Sequence, residues 1–196
     1  MWDHNTHYHR YLLHQIPSRV DRSLDVGCGL GLFAKKLAER SNLVDALDTD
    51  EAVLAAAASL NFAANIAYAK GDFLTADLPE TAYDVIVAIA SLHHIDMAAA
   101  LRKIKLLLRP AGKLLVLGLY RESTPIDYAY SAISMPLNFA YQQWHRTSIT
   151  QTTQVATTRP AQLSLKQIQN VTDTVIPGRR FRRHLFWRYS VIWQKP

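Results

Sequence analysis

The feature that most constrains the fold of this chain is a cluster of glycines between a short apolar run and a helical segment. The apolar run covers residues 23–26, and residues 32–39 carry an apolar face at helical spacing. The residues between them are Gly27, Cys28, Gly29, Leu30 and Gly31. Glycine permits a tight turn and a close approach of a ligand to the backbone, and the first N–H groups of the helix can bind it. The sequence therefore predicts a ligand site where this strand meets this helix.

Apolar runs and helical segments alternate through the first two thirds of the chain. Predicted strands cover residues 23–26, 43–47, 66–69, 83–89 and 113–119, and predicted helices cover residues 32–39, 51–60 and 97–108. Strands that alternate with helices of this length indicate βαβ units and hence an α/β fold with a doubly wound, mostly parallel sheet.

The last third has a different pattern, and we interpret all 196 residues as a single domain with an insertion. The predicted parts are an N-terminal cap segment (1–21), a core (22–119), an insertion or lid (120–160) and a C-terminal helix and hairpin (161–196). The insertion is aromatic-rich over residues 125–146, where Pro136 predicts a break, and continues as a Thr- and Gln-rich loop over residues 147–158. A helix over residues 163–175 and an antiparallel pair over residues 181–186 and 189–193 follow.

Carboxylates follow the predicted strands at one edge of the sheet. Asp25 precedes the glycines, Asp48 ends the second strand, and Asp72 with Phe73 follows the third. Ligands of open α/β sheets bind at the carboxyl ends of the strands, although Asp residues there also cap helices. A P-loop is excluded because no Gly-Lys-Ser/Thr follows, and the dinucleotide fingerprint fails because Leu32 occupies its third glycine position.

These motifs together resemble the class I S-adenosylmethionine-dependent methyltransferases, in the small-molecule branch with a generic methyltransferase domain. The resemblance is carried by residues 24–33, 46–50, 70–73, 83–95 and 106–116, in the order and spacing of the family. It implies a Rossmann-like, seven-stranded sheet in which the C-terminal hairpin supplies the sixth and seventh strands. Ala111 departs from the usual Pro-Gly-Gly turn, and residues 120–175 match nothing that transfers.

The resemblance implies S-adenosyl-L-methionine as the cofactor and S-adenosyl-L-homocysteine as the product. The methionine moiety would lie against Asp25 and the loop of Gly27, Cys28, Gly29 and Gly31. Asp48, followed by Thr49, would hold the ribose, Asp72 and Phe73 the adenine, and Ala90 and Ser91 would lie close to the sulfonium.

Two histidines, His93 and His94, follow the fourth predicted strand and are the candidate catalytic residues. A histidine is a reasonable base for a phenol, thiol or amine near neutral pH, and the alternative is that one of them packs at the start of the next helix. Side chains at adjacent positions do not converge on one face, so the pair predicts no metal site.

Aromatic side chains and histidines are concentrated at the N-terminus and in the insertion. Tyr8, with Trp2, would shield the sulfonium if the N-terminus is a lid, because aromatic faces attract cations. Alternatively, Tyr8, Leu12 and Leu13 pack a helix on the sheet with the histidines outward. The stripe in residues 125–144 suggests an apolar or aromatic small-molecule acceptor, or equally a dimer surface or core.

The net charge of +6 comes largely from six basic residues after Asp173. They suggest RNA as an alternative acceptor, or simply a solvated strand face. Residues 88–91 read Ala-Ile-Ala-Ser, which is not the Asn/Asp-Pro-Pro-Tyr/Phe tetrapeptide of base-amino methyltransferases, so nucleic acid is the weaker interpretation. A cofactor-binding module without catalysis is a third.

Cellular context follows from the cysteine count and the hydropathy pattern. One cysteine, Cys28, fits a reducing compartment, and no apolar run reaches the length of a membrane span. We therefore expect a cytoplasmic protein without a membrane span, either a monomer or a homodimer.

Overall fold

The computed structural model describes residues 5–144 and 160–196, which form a seven-stranded sheet with helices on both faces. The strands are β1 (Val20–Val26), β2 (Ser41–Asp48), β3 (Ile66–Lys70), β4 (Tyr83–Ile89), β5 (Leu108–Leu119), β6 (Arg180–Arg183) and β7 (Arg188–Gln194). The helices are α1 (Thr6–Leu13), α2 (Leu32–Ala38), α3 (Glu51–Leu60), α4 (Met97–Leu107), α5 (Pro125–Trp144) and α6 (Leu165–Val175), and a 3-10 turn covers Leu92–His94. The loop predicted at residues 147–158 lies outside the described residues, as do Trp2 and His4.

The strand order is β3-β2-β1-β4-β5-β7-β6. Strands β1 to β5 are parallel, whereas β7 runs antiparallel to β5 and pairs with β6. The order reverses between β1 and β4, which places a crevice at the carboxyl ends of these strands. The predicted fold class, including the antiparallel C-terminal hairpin, is confirmed.

The central strand β4 shows why the sheet is covered on both faces. Its residues Val85, Ile86, Val87 and Ala88 are completely buried, as expected for a continuous apolar run in a parallel sheet. Ile86 and Ala88 belong to the core cluster that contains the apolar side of α4. Val85 and Val87 belong to the opposite cluster, which contains apolar residues of α1 and α2.

Strand β5 begins five residues earlier than predicted. Tyr83 pairs with Leu108 and Val85 with Lys113, so the register shifts between the two pairs and residues 109–112 form an irregular part of the strand. This segment is also hydrogen-bonded to the C-terminal residues of the chain. The Ala111 N–H donates to the Lys195 carbonyl at 3.0 Å, and the Lys195 N–H donates to the Gly112 carbonyl at 2.9 Å. The turn-like sequence of residues 109–112 does not indicate that they belong to a strand.

The predicted break at Pro136 is wrong, because α5 continues through it. Proline removes one backbone donor and normally costs a helix about 3 kcal/mol. Contacts before the proline hold the helix in place. The buried Asp127 carboxylate accepts hydrogen bonds from the Ser123 and Thr124 N–H groups, each 2.8 Å long, and Ser134 Oγ accepts from Phe186 N–H at 3.0 Å.

Helix α1 is packed on the sheet. Leu12 is completely buried and Ile16, just after the helix, is nearly so. Arg40 donates to the carbonyl groups of Leu13 and Ile16 at 2.7 and 3.2 Å. The packed-helix alternative therefore describes α1, with the difference that His9 faces inward and is 4% exposed. No helix in the described part of the chain is long and apolar enough to cross a bilayer.

Candidate active site

A cavity of about 820 Å³ lies at the carboxyl ends of the parallel strands. Its walls come from the ends of β1, β2, β4 and β5, from the segment after β3, from the 3-10 turn, and from the first residues of α1 and β7. Cavities of roughly 300–1,000 Å³ are typical of small-molecule and cofactor sites.

The glycine loop connects β1 to α2, and its residues 27–30 line this cavity. Gly27, Gly29 and Gly31 have φ values of 69°, 52° and 73°, a region that side-chain-bearing residues rarely adopt. A Cβ at Gly27 would overlap Ser91, and one at Gly31 would overlap Tyr68, so both positions are closed by protein. A Cβ at Gly29 would meet no atom within 4 Å. Because Gly29 lines the cavity, its open side faces space that a ligand can fill.

Asp48 holds the glycine loop in this shape. Its Oδ2 accepts the Gly29 N–H at 2.8 Å, and its Oδ1 accepts the Asp50 N–H at 3.1 Å. The helix cap that follows is Asp50, which accepts the Ala52 and Val53 N–H groups. Asp48 therefore does not cap α3, and its carboxylate lines the cavity, as Thr49 does.

The residues after β3 form the end of the cavity that lies nearest the β3 edge of the sheet. Asp72 is exposed and lines the cavity, while its Oδ1 accepts the Leu74 N–H at 2.7 Å. Phe73 also lines the cavity and is 5% exposed. Asp72 therefore caps the turn that follows it and also lines the cavity.

Asp25 Oδ2 and Ser91 Oγ are buried in the cavity wall and have no hydrogen-bond partner among the described residues. Burial, together with the neighbouring Asp48 carboxylate, raises the pKa of Asp25 to about 7, against a smaller opposing effect of the Ala34 N–H. Burial likewise raises the pKa of the Cys28 thiol, which is therefore neutral at pH 7. A buried carboxyl with an unsatisfied oxygen suits a ligand that brings a cation or a donor.

The candidate catalytic histidines stand at the next strand end. Ala90 has a φ of 52° and turns the chain out of β4, so that the 3-10 turn begins beside the cavity. His93 is half-buried and His94 is exposed, their ring centroids are 3.9 Å apart, and both line the cavity with Ala90 and Ser91. In the described ranges, no three His, Cys, Asp or Glu side chains group in a way that could hold a metal ion.

The structure does not bring Tyr8 to the cavity. Its hydroxyl donates to the Leu185 carbonyl at 3.1 Å, and its ring lies beside His184 with a centroid distance of 4.8 Å. Neighbouring helix positions point about 100° apart, so the cavity receives His9 instead, whose ring contacts Phe33 edge-on at 4.9 Å.

Sequence reasoning missed the wall made by α1 and β7. Asn5, Thr6, His9 and Arg188 line the cavity. Arg188 is 7% exposed, and its guanidinium donates to Asn5 Oδ1 at 3.0 Å and to the Phe186 carbonyl at 3.1 Å. One signal was available: an antiparallel last strand must begin at the edge where the parallel strands end, and Arg188 pairs with Leu119 there.

Other members of the C-terminal basic group contact protein atoms. Arg179 pairs with Asp173 at 2.9 Å, Arg183 with Asp127 at 2.7 Å, and Lys195 Nζ donates to two main-chain carbonyls. Arg180 and Arg182 form the exposed side of β6, as the solvated-face alternative predicts.

Comparisons with known proteins identify the family of this chain. The family model described as "Methyltransferase domain" matches residues 24–116. An uncharacterized methyltransferase of Mycobacterium tuberculosis is 31% identical over 199 residues, which cover 100% of this chain and 98% of that protein. A ubiquinone biosynthesis O-methyltransferase of Marinobacter nauticus is 29% identical over 146 residues, covering 68% of this chain and 60% of that protein. The crystal structure of an S-adenosylmethionine-dependent methyltransferase from Mesorhizobium loti superimposes with a TM-score of 0.66 at 17% identity, covering 95% and 96% of the two chains. The chain therefore belongs to the class I S-adenosylmethionine-dependent methyltransferases.

Proposed function

We propose that this enzyme transfers a methyl group from S-adenosyl-L-methionine to a small-molecule acceptor bound in the same cavity. The observation that carries the proposal is the extent of the cavity, which continues past the glycine loop and β4 to α1 and β7. The part beyond β4 provides room for an acceptor beside the cofactor. The name of the relative from Marinobacter nauticus, a ubiquinone biosynthesis enzyme, supports a small-molecule acceptor.

The cofactor would lie along the strand ends in the order that the sequence predicts. Asp25 and the loop of Gly27, Cys28, Gly29 and Gly31 would hold the methionine moiety, and the orphaned Asp25 oxygen would accept from its ammonium group. Asp48 and Thr49 would hold the ribose, Asp72 and Phe73 the adenine, and Ala90 and Ser91 would lie near the sulfonium. The bound cofactor supplies an electrophilic methyl group on a positively charged sulfur.

The protein contributes mainly alignment of the acceptor with that methyl group. Holding reactants in line can supply roughly 7–11 kcal/mol of a barrier, whereas a general base contributes about 10²–10⁴-fold, or roughly 3–5 kcal/mol. His93 and His94 are the proposed bases for an acceptor proton. Both side chains line the cavity, as Ser91 does, and this shared lining supports the proposal.

Calorimetry with S-adenosyl-L-methionine tests cofactor binding, with Asp48→Ala as the variant. We expect its affinity to fall by about 1.5–3 kcal/mol, the range for hydrogen bonds to charged groups. Asp96→Ala is the control, because Asp96 caps α4 by accepting the Ala99 N–H and does not line the cavity. An unchanged affinity of Asp48→Ala would remove Asp48 from the site.

Turnover of labelled cofactor against a metabolite panel then separates catalysis from cofactor binding alone. Methyl transfer to any small molecule supports the proposal, and binding without transfer across the panel favours the non-catalytic module. RNA belongs in the same panel. Several phosphate contacts would make its affinity fall steeply with salt, so a salt-insensitive interaction would dispose of the RNA alternative.

A further inference from the structure

The turn after β3, residues 72–76, is held by a lysine of α4. Lys103 Nζ donates to the Leu74 carbonyl at 3.2 Å and to the Ala76 carbonyl at 2.5 Å. The same ammonium group lies 5.5 Å from the centroid of the Phe73 ring, which is within the range of a cation–π contact. Three contacts of one ammonium group therefore fall on one short turn.

Hydrogen bonds within this turn fix the direction of the Asp72 carboxylate. Its Oδ1 accepts the Leu74 N–H at 2.7 Å, and the Asp72 carbonyl accepts the Ala76 N–H at 2.8 Å. These N–H groups belong to the same two residues whose carbonyl groups accept from Lys103. A shift of either residue would turn the carboxylate, so the orientation of Asp72 in the cavity depends on the lysine.

Lys103 itself stands outside the cavity. Asp72 and Phe73 belong to the cavity lining and Lys103 does not. Phe73 is buried in the core cluster that contains the apolar side of α4, the helix that carries the lysine. Among the described residues, no carboxylate forms an ion pair with Lys103, and its hydrogen bonds go to the turn. The turn is therefore the part of the fold that this lysine stabilises.

Resting on the proposed function, we propose that Lys103 is a positioning residue for recognition of the adenine of S-adenosyl-L-methionine. By holding residues 72–76, it directs the Asp72 carboxylate toward the adenine amino group and the Phe73 ring toward the purine. Because Lys103 does not line the cavity, it acts through these two residues and takes no part in methyl transfer.

The same helix offers a matched control, Lys105. Its Nζ donates to the Val175 carbonyl at 3.1 Å, and the residue is half-buried, as Lys103 is. Val175 ends α6, and neither Lys105 nor Val175 lines the cavity. Removing this ammonium group therefore removes a similar contact of α4 without loosening the turn.

The test compares S-adenosyl-L-homocysteine with S-inosyl-L-homocysteine, in which a carbonyl oxygen replaces the adenine amino group. Calorimetry measures the affinity of each ligand for the wild-type protein, for Lys103→Met and for Lys105→Met. We expect the wild-type protein to prefer S-adenosyl-L-homocysteine by about tenfold or more, because a carboxylate accepts from an amino group and repels a carbonyl oxygen. Lys103→Met should reduce this preference to about threefold or less, since the carboxylate loses its supporting contacts. Lys105→Met should keep the wild-type preference.

The ratio of the two affinities separates positioning from a general loss of stability. A variant that is only less stable binds both ligands more weakly and keeps the ratio, and this result in Lys103→Met would overturn the proposal. Lys103→Gln, whose amide can still donate to a carbonyl, should give an intermediate ratio. If Lys103→Met does not fold, Lys103→Gln decides, and a wild-type ratio in that variant would overturn the proposal.

Binding of S-adenosyl-L-homocysteine to the wild-type protein is measured first and reports on the proposed function. Its absence would count against that function. Normal binding without a preference for adenine, or an equal loss of preference in Lys103→Met and Lys105→Met, would overturn only the positioning role of Lys103.

Discussion

The two sides of the cavity are built from very different stretches of sequence. The β1–β3 side comes from short segments that directly follow strands, with glycines and carboxylates at regular positions. The β4–β7 side joins Asn5 to Arg188, which are 183 residues apart in the chain. The first side forms locally, because each strand is followed directly by its loop and helix. The second side forms only when the strands assemble in the observed order. Residues of the β1–β3 side lie within the stretch that the methyltransferase family model matches, residues 24–116, whereas Asn5 and Arg188 lie outside it.

Among the variants that distinguish the two sides of the cavity, Gly29→Ala is expected to have the largest effect, which is a loss of cofactor affinity. The methyl group would enter the open space above Gly29, where the cofactor would lie, and we expect at least a hundredfold loss of S-adenosyl-L-homocysteine affinity. The positive φ should also cost about 1–2 kcal/mol of folding stability. Calorimetry and urea unfolding measure the two effects separately.

Gly178→Ala is a matched control for Gly29→Ala. Gly178 has a φ of 80°, and a Cβ there would also meet nothing within 4 Å, but the residue does not line the cavity. We expect the same loss of stability and unchanged cofactor affinity. Equal affinity losses in the two variants would mean that backbone strain, and not occupied space, explains the result at Gly29.

The same division explains how far the sequence could predict this molecule. The alternation of runs over residues 22–119 predicted the parallel strands, because burial on both faces of a sheet leaves a strong apolar pattern. Asp25, Asp48 and Asp72 were predicted at one edge of the sheet from their positions at strand ends, and all three line the cavity, together with Asp50, which was not predicted. His9 and Arg188 left no such pattern, since their position depends on how α1 and β7 meet in three dimensions. Tyr8 was expected at the sulfonium for its aromatic ring, yet helix geometry turns it to the Leu185 carbonyl.

A second effect, of intermediate size, tests whether α1 is a fixed part of the fold. His184 lies between Tyr8 and Tyr11, and its Nε2 is 2.7 Å from Ser190 Oγ. Burial, with smaller contributions from Arg182 and His7, lowers the pKa of His184 from 6.5 to about 4. The unfolded chain therefore binds the proton first, and this histidine's contribution to stability is present above pH 6.5 and lost as the pH falls toward 4.

Urea unfolding at pH 7 and pH 5 measures this contribution. Between these values the wild-type protein should lose about 2 kcal/mol more stability than His184→Gln, which cannot titrate. His14→Gln is the control, because His14 is exposed at the end of α1. Amide exchange in residues 5–14 should already be slow without cofactor. Fast exchange that slows only on cofactor addition would restore the lid interpretation of the N-terminal segment.

The smallest effect concerns the protonation of Asp25 on the cofactor side. Its pKa of about 7 means that a large fraction of the free protein carries a neutral carboxyl below neutral pH. A cationic cofactor prefers the ionised form, so its affinity should be full above pH 7 and fall about tenfold per pH unit well below it. Binding at pH 6 should accordingly release a proton, which calorimetry in two buffers of different ionisation enthalpy detects.

Asp25→Asn should bind the cofactor more weakly and lose this pH dependence, whereas Asp72→Asn should bind it more weakly and keep the pH dependence. If wild-type affinity is flat from pH 6 to pH 8, the buried Asp25 carboxyl does not face the cofactor's cation.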